Sequence, residues 1–349
     1  MYPTTTPSLP RGERDGPVTL EIVIPVYNEG EVVGLLLDRL ARAFAPEELR
    51  AHGVSRVSLL FVDDGSTDDT ATLLAARIEA GLDARLIRFS RNFGHQSAVC
   101  AGLDRADADL VAIIDADLQD PPELILPMVD RWRTGADVVY ARRRRRRASA
   151  LKKLGYWMFY RMVAFLSDIR LPLDSGDFSL LDRRVVLALR SLPEHLRFPR
   201  GLRAWVGFRQ EGIDYDRPER EAGTTKYAWR KLYQLATDGI ASMSTRPLQA
   251  AQFASFFFGV LTLGFLAMLL GGVVASPSSI PRPFLIAYVL IATGNALLSF
   301  CLYILGAYVG RTYLEVKGRP PYLVMEIVER RAAATAGRAD RVAAGGDRP

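Results

Sequence analysis

Cysteine and histidine are scarce in this chain. Its 349 residues include two cysteines, Cys100 and Cys301, and three histidines. One cysteine falls in a region of mixed polarity and the other in a long apolar run. We therefore expect no disulfide and no paired-cysteine metal site, as is usual in a reducing compartment. With three histidines, no catalytic dyad built on histidine is evident.

Glycine-rich phosphate-binding motifs are also missing. Neither G-x-x-x-x-G-K-[ST] nor G-x-G-x-x-G occurs in the sequence. These motifs supply the backbone cradle for phosphates in P-loop NTPases and in dinucleotide-binding domains. Both classes are therefore disfavoured, and a phosphate-bearing ligand would need another means of charge neutralisation.

Charge is absent from two long stretches in the last third of the chain. No charged residue occurs from Pro247 to Pro281, and none from Pro283 to Gly310. Each stretch exceeds the roughly 20 apolar residues that cross a bilayer core. Within residues 247–311 we therefore expect two transmembrane helices, at about 250–274 and 284–310, in place of buried core helices.

Positive charge flanks both predicted spans on the same side. Lysine and arginine precede the first span within residues 226–246 and follow the second from Arg311, whereas the connecting loop carries only Arg282. The positive-inside rule then places both termini in the cytoplasm. Residues 312–349 read as a cytoplasmic tail with a disordered end. Residues 1–17 lack the apolar core of a signal peptide and read as a disordered lead-in.

Residues 18–230 alternate between strand and helix patterns. The β-branched runs LEIVIPVY (20–27) and VSLLFVDDGS (57–66) predict buried strands, and EVVGLLLDRLARAF (31–44) has the apolar spacing of a helix. Repeated alternation of this kind predicts a Rossmann-like α/β domain with a mostly parallel sheet. In such sheets, ligands bind at the carboxyl ends of the strands.

Polar side chains follow the predicted strands at that edge of the sheet. They are Glu29, Asp63, Asp64, Asp115, Asp117, Gln119 and Arg142. Clustered carboxylates repel one another unless a cation lies among them. Oxygen ligands at this spacing suit Mg²⁺ or Mn²⁺, which commonly bridge one or two carboxylates to substrate phosphates. The strand ends therefore predict a divalent metal site for a phosphate-bearing ligand.

An ordered set of motifs makes the chain resemble a known enzyme family. The motifs are IVIPVYNE, VDDGSTDDT, NFGHQSAVCAGLDRA, IIDADLQDPPE, DSGDFSLLDRRVV, FPRGLRAWVGFRQ and REAGTTKY. Together they resemble the catalytic domain of family 2 inverting glycosyltransferases of the GT-A fold. More narrowly, they are similar to polyprenyl-phosphate glycosyltransferases, such as dolichyl-phosphate mannose synthases and the bacterial enzymes that load glucose onto undecaprenyl phosphate. The resemblance covers residues 20–320.

This resemblance implies an activity and a setting. A single sugar would pass, with inversion, from a nucleotide sugar to a polyprenyl phosphate at the cytoplasmic face of the cell membrane. A UDP-sugar such as UDP-glucose is favoured as donor over GDP-mannose. The implied partners are the donor, the lipid acceptor, the bilayer and further copies of the chain in a homotetramer, with no nucleic acid among them.

The resemblance also implies roles for individual residues. Mg²⁺ or Mn²⁺ would be held by Asp115, Asp117 and Gln119. Asp117, together with Asp177 facing the sugar and Arg200 receiving the lipid phosphate, would be catalytic. The donor would be bound by Pro25, Tyr27, Glu29, Val62, Asp64, Asp115, Ala116, Asp117, Gln119, Arg142, Arg220 and Lys226.

Several of these residues have a plain structural alternative. Glu29 could be a first-turn helix charge. Asp63 could cap the helix after DDGS, and Asp177 could cap a helix formed by FSLLDRRVV. His95 could be catalytic, although a polar position at the start of the third helix is the simpler interpretation. Ser179 stands where the resemblance predicts arginine, which puts one acceptor or sugar contact in doubt.

Basic and aromatic residues are interleaved in two further stretches. Residues 150–168 and 226–246 both have the composition of interfacial amphipathic helices. Of the six arginines from Arg142 to Arg147, only the first matches the family pattern. For the other five arginines, we favour binding to anionic lipid headgroups over a simple solvated loop.

Two other functions stay open on the sequence alone. One is a processive polysaccharide synthase, which would be expected to carry a Q-x-x-R-W motif and further spans, and the sequence contains no such motif. The other is a non-catalytic scaffold that binds nucleotide sugars through a vestigial metal site.

Overall fold

The structure is a computed structural model that describes residues 14–143, 175–195, 197–216, 246–275 and 281–330. Several predicted features lie outside these ranges. They are the lead-in at 1–13, the arginines at 144–147, the interfacial stretch at 150–168, most of the stretch at 226–246, Arg220, Lys226 and the tail beyond 330.

An eight-stranded sheet organises the described residues. Its strands are β1 (Val18–Val26), β2 (Val54–Asp63), β3 (Ala84–Phe89), β4 (Leu110–Ile113), β5 (Val138–Arg143), β6 (Ser175–Asp182), β7 (Gln210–Tyr215) and β8 (Val324–Glu329). Their spatial order is β7-β5-β6-β4-β1-β2-β3-β8. Four neighbouring pairs are parallel and three, all involving β6 or β8, are antiparallel. The predicted mostly parallel α/β sheet is confirmed.

The helices are α1 (Gly30–Ala43), α2 (Pro46–Ala51), α3 (Thr70–Glu79), α4 (His95–Arg105), α5 (Ile125–Arg133), α6 (Arg183–Arg190), α7 (Pro199–Trp205), α8 (Arg246–Ala275) and α9 (Pro281–Val316). Six of them cover the two faces of the sheet. Helices α1, α3 and α5 bury apolar side chains against one face, and α4, α6 and α7 against the other. Because β1 lies centrally between β2 and β4, eight of its nine residues are buried.

Helix α4 packs unusually close to β1. A Cβ atom added at Gly102 would lie 2.2 Å from Cγ1 of Val23, so only glycine fits at this point of the helix. This close contact sets the position of the N-terminal end of α4, where His95 and Gln96 lie.

Two helix caps that the sequence left open, at Asp63 and Asp177, do not form. Strand β6 runs through Asp177 to Asp182, and it is Asp182 whose side chain accepts the backbone N–H of Arg184 (2.8 Å) and caps α6. The carboxylate of Asp63 accepts the N–H of Ser66 (3.0 Å), which closes a turn, whereas α3 begins only at Thr70. Both acidic residues thus belong to the edge of the sheet.

Helices α8 and α9 contain 30 and 36 residues and carry exposed apolar side chains such as Phe253, Phe256 and Leu302. Within the described residues, one segment, Thr293–Val316, is long and apolar enough to cross a bilayer by length and composition. A shorter apolar segment covers Ala251–Leu261. Two long helices are therefore present where two spans were expected, and the two spans themselves stay a prediction.

The chain returns to the sheet after α9. Strand β8 pairs antiparallel with β3, with Leu86 opposite Val328 and Ile87 opposite Ile327. The sequence pattern of residues 312–349 predicted a tail and no strand. As a result, the C-terminal end of α9 is tied to the same sheet whose other strands carry the candidate site.

Candidate active site

The candidate site lies where the carboxyl ends of β1, β2, β4, β5 and β7 meet the beginning of β6. Two loops at this edge contain the non-glycine residues with positive φ in the described ranges, Asn28 (φ 55°) and Leu118 (φ 59°). The Asn28 Oδ1 atom accepts the N–H of Thr67 (2.8 Å), which ties the loop after β1 to the loop after β2. Strained backbone of this kind is concentrated at functional sites.

Asp115 and Asp177 lie side by side at this edge. Ile113 of β4 is opposite Ser179 of β6, so continuing the antiparallel register by two residues brings Asp115 opposite Asp177. The sequence places these residues 62 positions apart, and only the antiparallel strand β6 brings them together.

Asp177 is the centre of a charged cluster. Arg200, from α7, donates to both of its oxygens, from Nη2 at 3.0 Å and from Nε at 3.3 Å. Gln96 Nε2 donates at 3.3 Å, and His95 Nε2 lies 3.5 Å from Oδ2. Burial alone would raise the pKa of this carboxyl, but the Arg200 charge and the His95 hydrogen bond hold it well below its usual range.

Asp115 has the opposite electrostatic balance. Burial raises its pKa to about 6, and the charges of Asp177, Asp120 and Asp117 add to the shift, while His95 opposes it. Its Oδ1 atom is buried without a hydrogen-bond partner and lies 3.6 Å from His95 Nε2. A buried carboxylate oxygen that lacks a donor and faces like charges fits a bound cation.

His95 lies between these two carboxylates as the first residue of α4. Burial favours its neutral form, but the hydrogen bond to Asp177 and the charge of Asp115 outweigh burial and raise its pKa. The expected position at the start of a helix is confirmed, and this helix is α4 because the short helix α2 was not predicted. The same position also brings the imidazole into the acidic cluster, which the sequence order did not indicate.

The loop after β4 carries the remaining predicted metal ligands. Asp117 Oδ1 accepts the N–H of Gln119 (3.1 Å), and both residues are half-buried. Ala116 is buried, and Asp120 behind it accepts a hydrogen bond from the hydroxyl of Tyr215. In the part of the chain that the structure describes, no three Asp, Glu, His or Cys side chains form a metal site by themselves.

The predicted nucleoside pocket follows β1 and β2. Pro25 and Val62 are register partners and both are buried, whereas Tyr27, just after β1, is 45% exposed. Glu29 is half-buried immediately before α1. Asp64 is buried, and its carboxylate accepts the backbone N–H groups of Phe93 (2.7 Å) and Gly94 (2.9 Å), so it holds the loop that precedes α4. Burial raises the pKa of Asp64, although these two hydrogen bonds act to lower it.

Arg142 lies further along the same edge, on β5. Its Nε atom is 2.5 Å from Oδ1 of Asp214 on β7, and half of its side chain is exposed. The structure therefore brings together Asp115, Asp177, Arg200, His95 and Gln96, and it places Arg142 in a separate ion pair.

One arginine and one serine are buried near Asp177, namely Arg203 and Ser179. Arg203 is 3% exposed, its guanidinium lies 5.4 Å from the ring centroid of Tyr140, and burial lowers its pKa to about 10. Ser179 is fully buried, and its hydroxyl donates to the carbonyl of Asp177 (2.8 Å). Sequence reasoning missed Arg203, although its spacing of three residues from Arg200 places both on one helix face.

An α/β sheet of this order, with acidic side chains gathered at its carboxyl edge, is the architecture of a GT-A glycosyltransferase. Residues 21–189 match the family described as Glycosyl transferase family 2. Together with the relatives below, this match shows that the chain belongs to glycosyl transferase family 2.

Relatives match nearly the whole chain. Uncharacterized glycosyltransferase YkcC of Bacillus subtilis is 40% identical over 88% of this chain and 94% of its own. The prophage bactoprenol glucosyl transferase homolog of Escherichia coli is 34% identical over 88% and 99%, respectively. The SfII prophage-derived bactoprenol glucosyl transferase of Shigella flexneri is 35% identical over 87% and 97%. The chain is a glycosyltransferase.

Among solved structures, the mannosyltransferase PcManGT of Pyrobaculum calidifontis, in complex with GDP-Man and Mn²⁺, is 18% identical to this chain. It matches 86% of each chain with a TM-score of 0.47.

Proposed function

We propose that this chain transfers one sugar, with inversion, from a nucleotide sugar to a polyprenyl phosphate at the cytoplasmic face of a membrane. UDP-glucose is the favoured donor and GDP-mannose the second choice. Similarity at 34–35% identity to proteins named bactoprenol glucosyl transferases supports both the lipid acceptor and the sugar. The long apolar helices α8 and α9 support membrane attachment.

The observation that carries the proposal is the contrast between Asp115 and the Asp177–Arg200 pair. An unsatisfied carboxylate oxygen and a guanidinium held in place by a carboxylate lie at the same edge of the sheet. The Asp115 oxygen suits a metal cation that binds the nucleoside diphosphate. The Arg200 guanidinium offers hydrogen-bond donors to an anionic acceptor. A transferase that joins a diphosphate donor to a phosphate acceptor needs both.

The metal would be Mg²⁺ or Mn²⁺, held by Asp115, Asp117 and Gln119. When bound there, such a cation neutralises the charge of the departing nucleoside diphosphate. Because the described residues offer no complete metal site by themselves, the remaining oxygens would come from the diphosphate and water, as is common for Mg²⁺. Arg142, Arg220 and Lys226 are proposed as further cationic contacts to the same group.

The acceptor side needs no general base. A lipid monophosphate has a second pKa of about 6, so at neutral pH its oxygen is already a nucleophile. That oxygen forms the new bond to the anomeric carbon as the bond to the nucleoside diphosphate breaks on the opposite side. Asp177, whose oxygens are already engaged by Arg200 and Gln96, serves to hold Arg200 towards the acceptor.

The experiment that tests this proposal is transfer of radiolabel from UDP-glucose and from GDP-mannose to undecaprenyl phosphate in detergent. We expect label in the lipid fraction from UDP-glucose, lost on addition of EDTA and in Asp117→Ala. Asp83→Ala, which changes an exposed aspartate paired with Arg56, is the matched control and should keep activity. Label that persists in EDTA contradicts the metal role, and nucleotide binding without lipid label favours the scaffold alternative.

A further inference from the structure

Residues Glu315 to Glu329 comprise the last two residues of α9, strand β8 and the connection between them. We call this segment the strap. It is bound to the catalytic domain by more than the β8 ladder. The ring of Tyr322 stacks on Phe89 with ring centroids 5.0 Å apart and 11° between the planes. The carbonyl of Leu323 accepts the N–H of Ser90 (3.0 Å). The strap is thus docked beside β3 over several residues.

Asp104 of α4 links the strap to the connection between α6 and α7. The hydroxyl of Tyr322 donates to Asp104 Oδ2 (3.0 Å), and Arg197 Nη1 lies 2.6 Å from Asp104 Oδ1. Arg197 also donates to the carbonyls of Glu194 (3.2 Å) and Leu192 (3.4 Å). One carboxylate therefore fixes Tyr322 on one side and the α6–α7 connection on the other.

A second contact joins the strap to the same connection. Glu315, at the end of α9, accepts the backbone N–H of His195 through Oε2 (3.0 Å). The connection leads directly into α7, whose second residue is Arg200. The strap thus holds this connection directly at His195 through Glu315, and indirectly at Arg197 through Asp104 of α4.

We propose that Asp104, Tyr322 and Arg197 are positioning residues that set the place of Arg200 relative to α9. This inference rests on the proposed function, because it assigns their effect to the acceptor side of the reaction. Asp177 fixes the guanidinium of Arg200 from the sheet, and the strap fixes the backbone that carries Arg200. Since α9 is the helix that leads into the strap, a lipid phosphate presented beside α9 meets Arg200 at a fixed distance.

A purely structural role would have a different signature. Loss of a sheet-edge contact lowers stability and affects every substrate alike. Displacement of a positioned guanidinium by about 1 Å costs up to about 100-fold in rate, and it leaves unchanged the KM of the substrate that the guanidinium does not meet. The donor contacts proposed for β1 and β2 lie on strands that are not neighbours of β6, so binding of the nucleoside part of the donor should be preserved.

The kinetic test compares two minimal changes in the full-length chain in detergent. Tyr322→Phe removes one hydroxyl and keeps the ring on Phe89, and Asp104→Asn weakens both bonds of the bridge. We expect each to lower kcat/KM for polyprenyl phosphate by about tenfold, with the KM for the nucleotide sugar unchanged. The double variant should lose less than the product of the single losses, because both act through one bridge. The exposed Asp83→Asn is the matched control.

Hydrogen exchange in α7 gives a readout that needs no catalysis. Amides of residues 200–205 should exchange faster in Tyr322→Phe than in the wild type, with exchange in β1 unchanged. Wild-type exchange in α7, or KM values that rise equally for donor and acceptor, would overturn the positioning role. If the wild type transfers no sugar to polyprenyl phosphate, the proposed function fails, and exchange in α7 still decides whether the strap holds this helix.

Discussion

At the scale of single residues, two neighbouring carboxylates are driven in opposite directions. Asp177 is held ionised by Arg200, whereas burial and like charges raise the pKa of Asp115 to about 6. Pairs of titratable groups whose environments push their pKa values apart mark a division of chemical roles. Here the division is between an acidic group that awaits a cation and an acidic group that already has one.

Arg200→Ala removes the cation from this pair. We expect the rate of sugar transfer to fall by about 100-fold, the size of effect seen when one donor to a reacting charge is lost. Arg200→Lys should retain part of the activity, because lysine keeps the charge but cannot donate from two atoms of a planar group. Steady-state kinetics checks both variants, with the exposed Arg56→Ala as the matched control. Near wild-type turnover in Arg200→Ala would contradict the role.

Asp115→Asn should stabilise the chain in EDTA at pH 7.5. Because the folded-state pKa of Asp115 is raised to about 6, its ionisation opposes folding above that pH. The opposition fades as pH falls from 6 towards the unfolded value near 4. We expect a gain in the free energy of unfolding of roughly 1–2 kcal/mol at pH 7.5, absent at pH 4. A loss of stability of Asp115→Asn at pH 7.5 would contradict the raised pKa of Asp115. The variant should lose activity whether or not it is more stable.

At the scale of elements, the sequence indicated the parallel part of the sheet and missed its antiparallel part. Strands β1 to β5 are apolar runs separated by helical patterns, and the periodicity of both is visible. SGDFSLLD in β6 left a helix from FSLLDRRVV open as an alternative, because the stretch is short and ends in a run with helical spacing. QEGIDY in β7 and VMEIVE in β8 have no local signal strong enough to be read as strands, because their pairing is set by distant segments.

The fit of α4 on β1 gives a prediction at this scale. Gly102→Ala should lower the free energy of unfolding by about 1–3 kcal/mol, because the new methyl group overlaps Val23 and pushes α4 away from the sheet. Adding Val23→Ala should recover part of the loss. Gly34→Ala on α1, where a Cβ meets nothing within 4 Å, is the matched control and should be neutral or stabilising. Equal effects of the two alanines in denaturant titration would contradict the close packing.

At the scale of the whole molecule, the site joins segments that are far apart in the chain. The motifs after β1, β2 and β4 could be predicted to meet because the carboxyl ends of parallel strands share an edge. The contact of Asp177 with Arg200, and the return of the strap to β3, depend on an antiparallel strand and on packing across the sheet. No spacing in the sequence encodes those contacts.

The proposed topology is tested by labelling cysteines in intact cells. In a Cys301→Ser background, Ser278→Cys in the loop between the predicted spans should react with a membrane-impermeant maleimide from outside. Cys100 should not react with the maleimide, since burial raises the pKa of its thiol to about 12. Ser191→Cys, at an exposed position of the catalytic domain, is the matched control and should react only after the cells are permeabilised. The reverse pattern would contradict the topology.

The most direct test of the central claim is the identity of the lipid product. Wild-type chain would be incubated with UDP-glucose, undecaprenyl phosphate and Mg²⁺, and the purified lipid examined by phosphorus and proton NMR. We expect one glucose joined to the lipid phosphate through a β-anomeric phosphodiester, formed by in-line displacement from the α-linked donor. An α-linked sugar, a chain of several sugars, or a lipid left unmodified while the donor is consumed would contradict it.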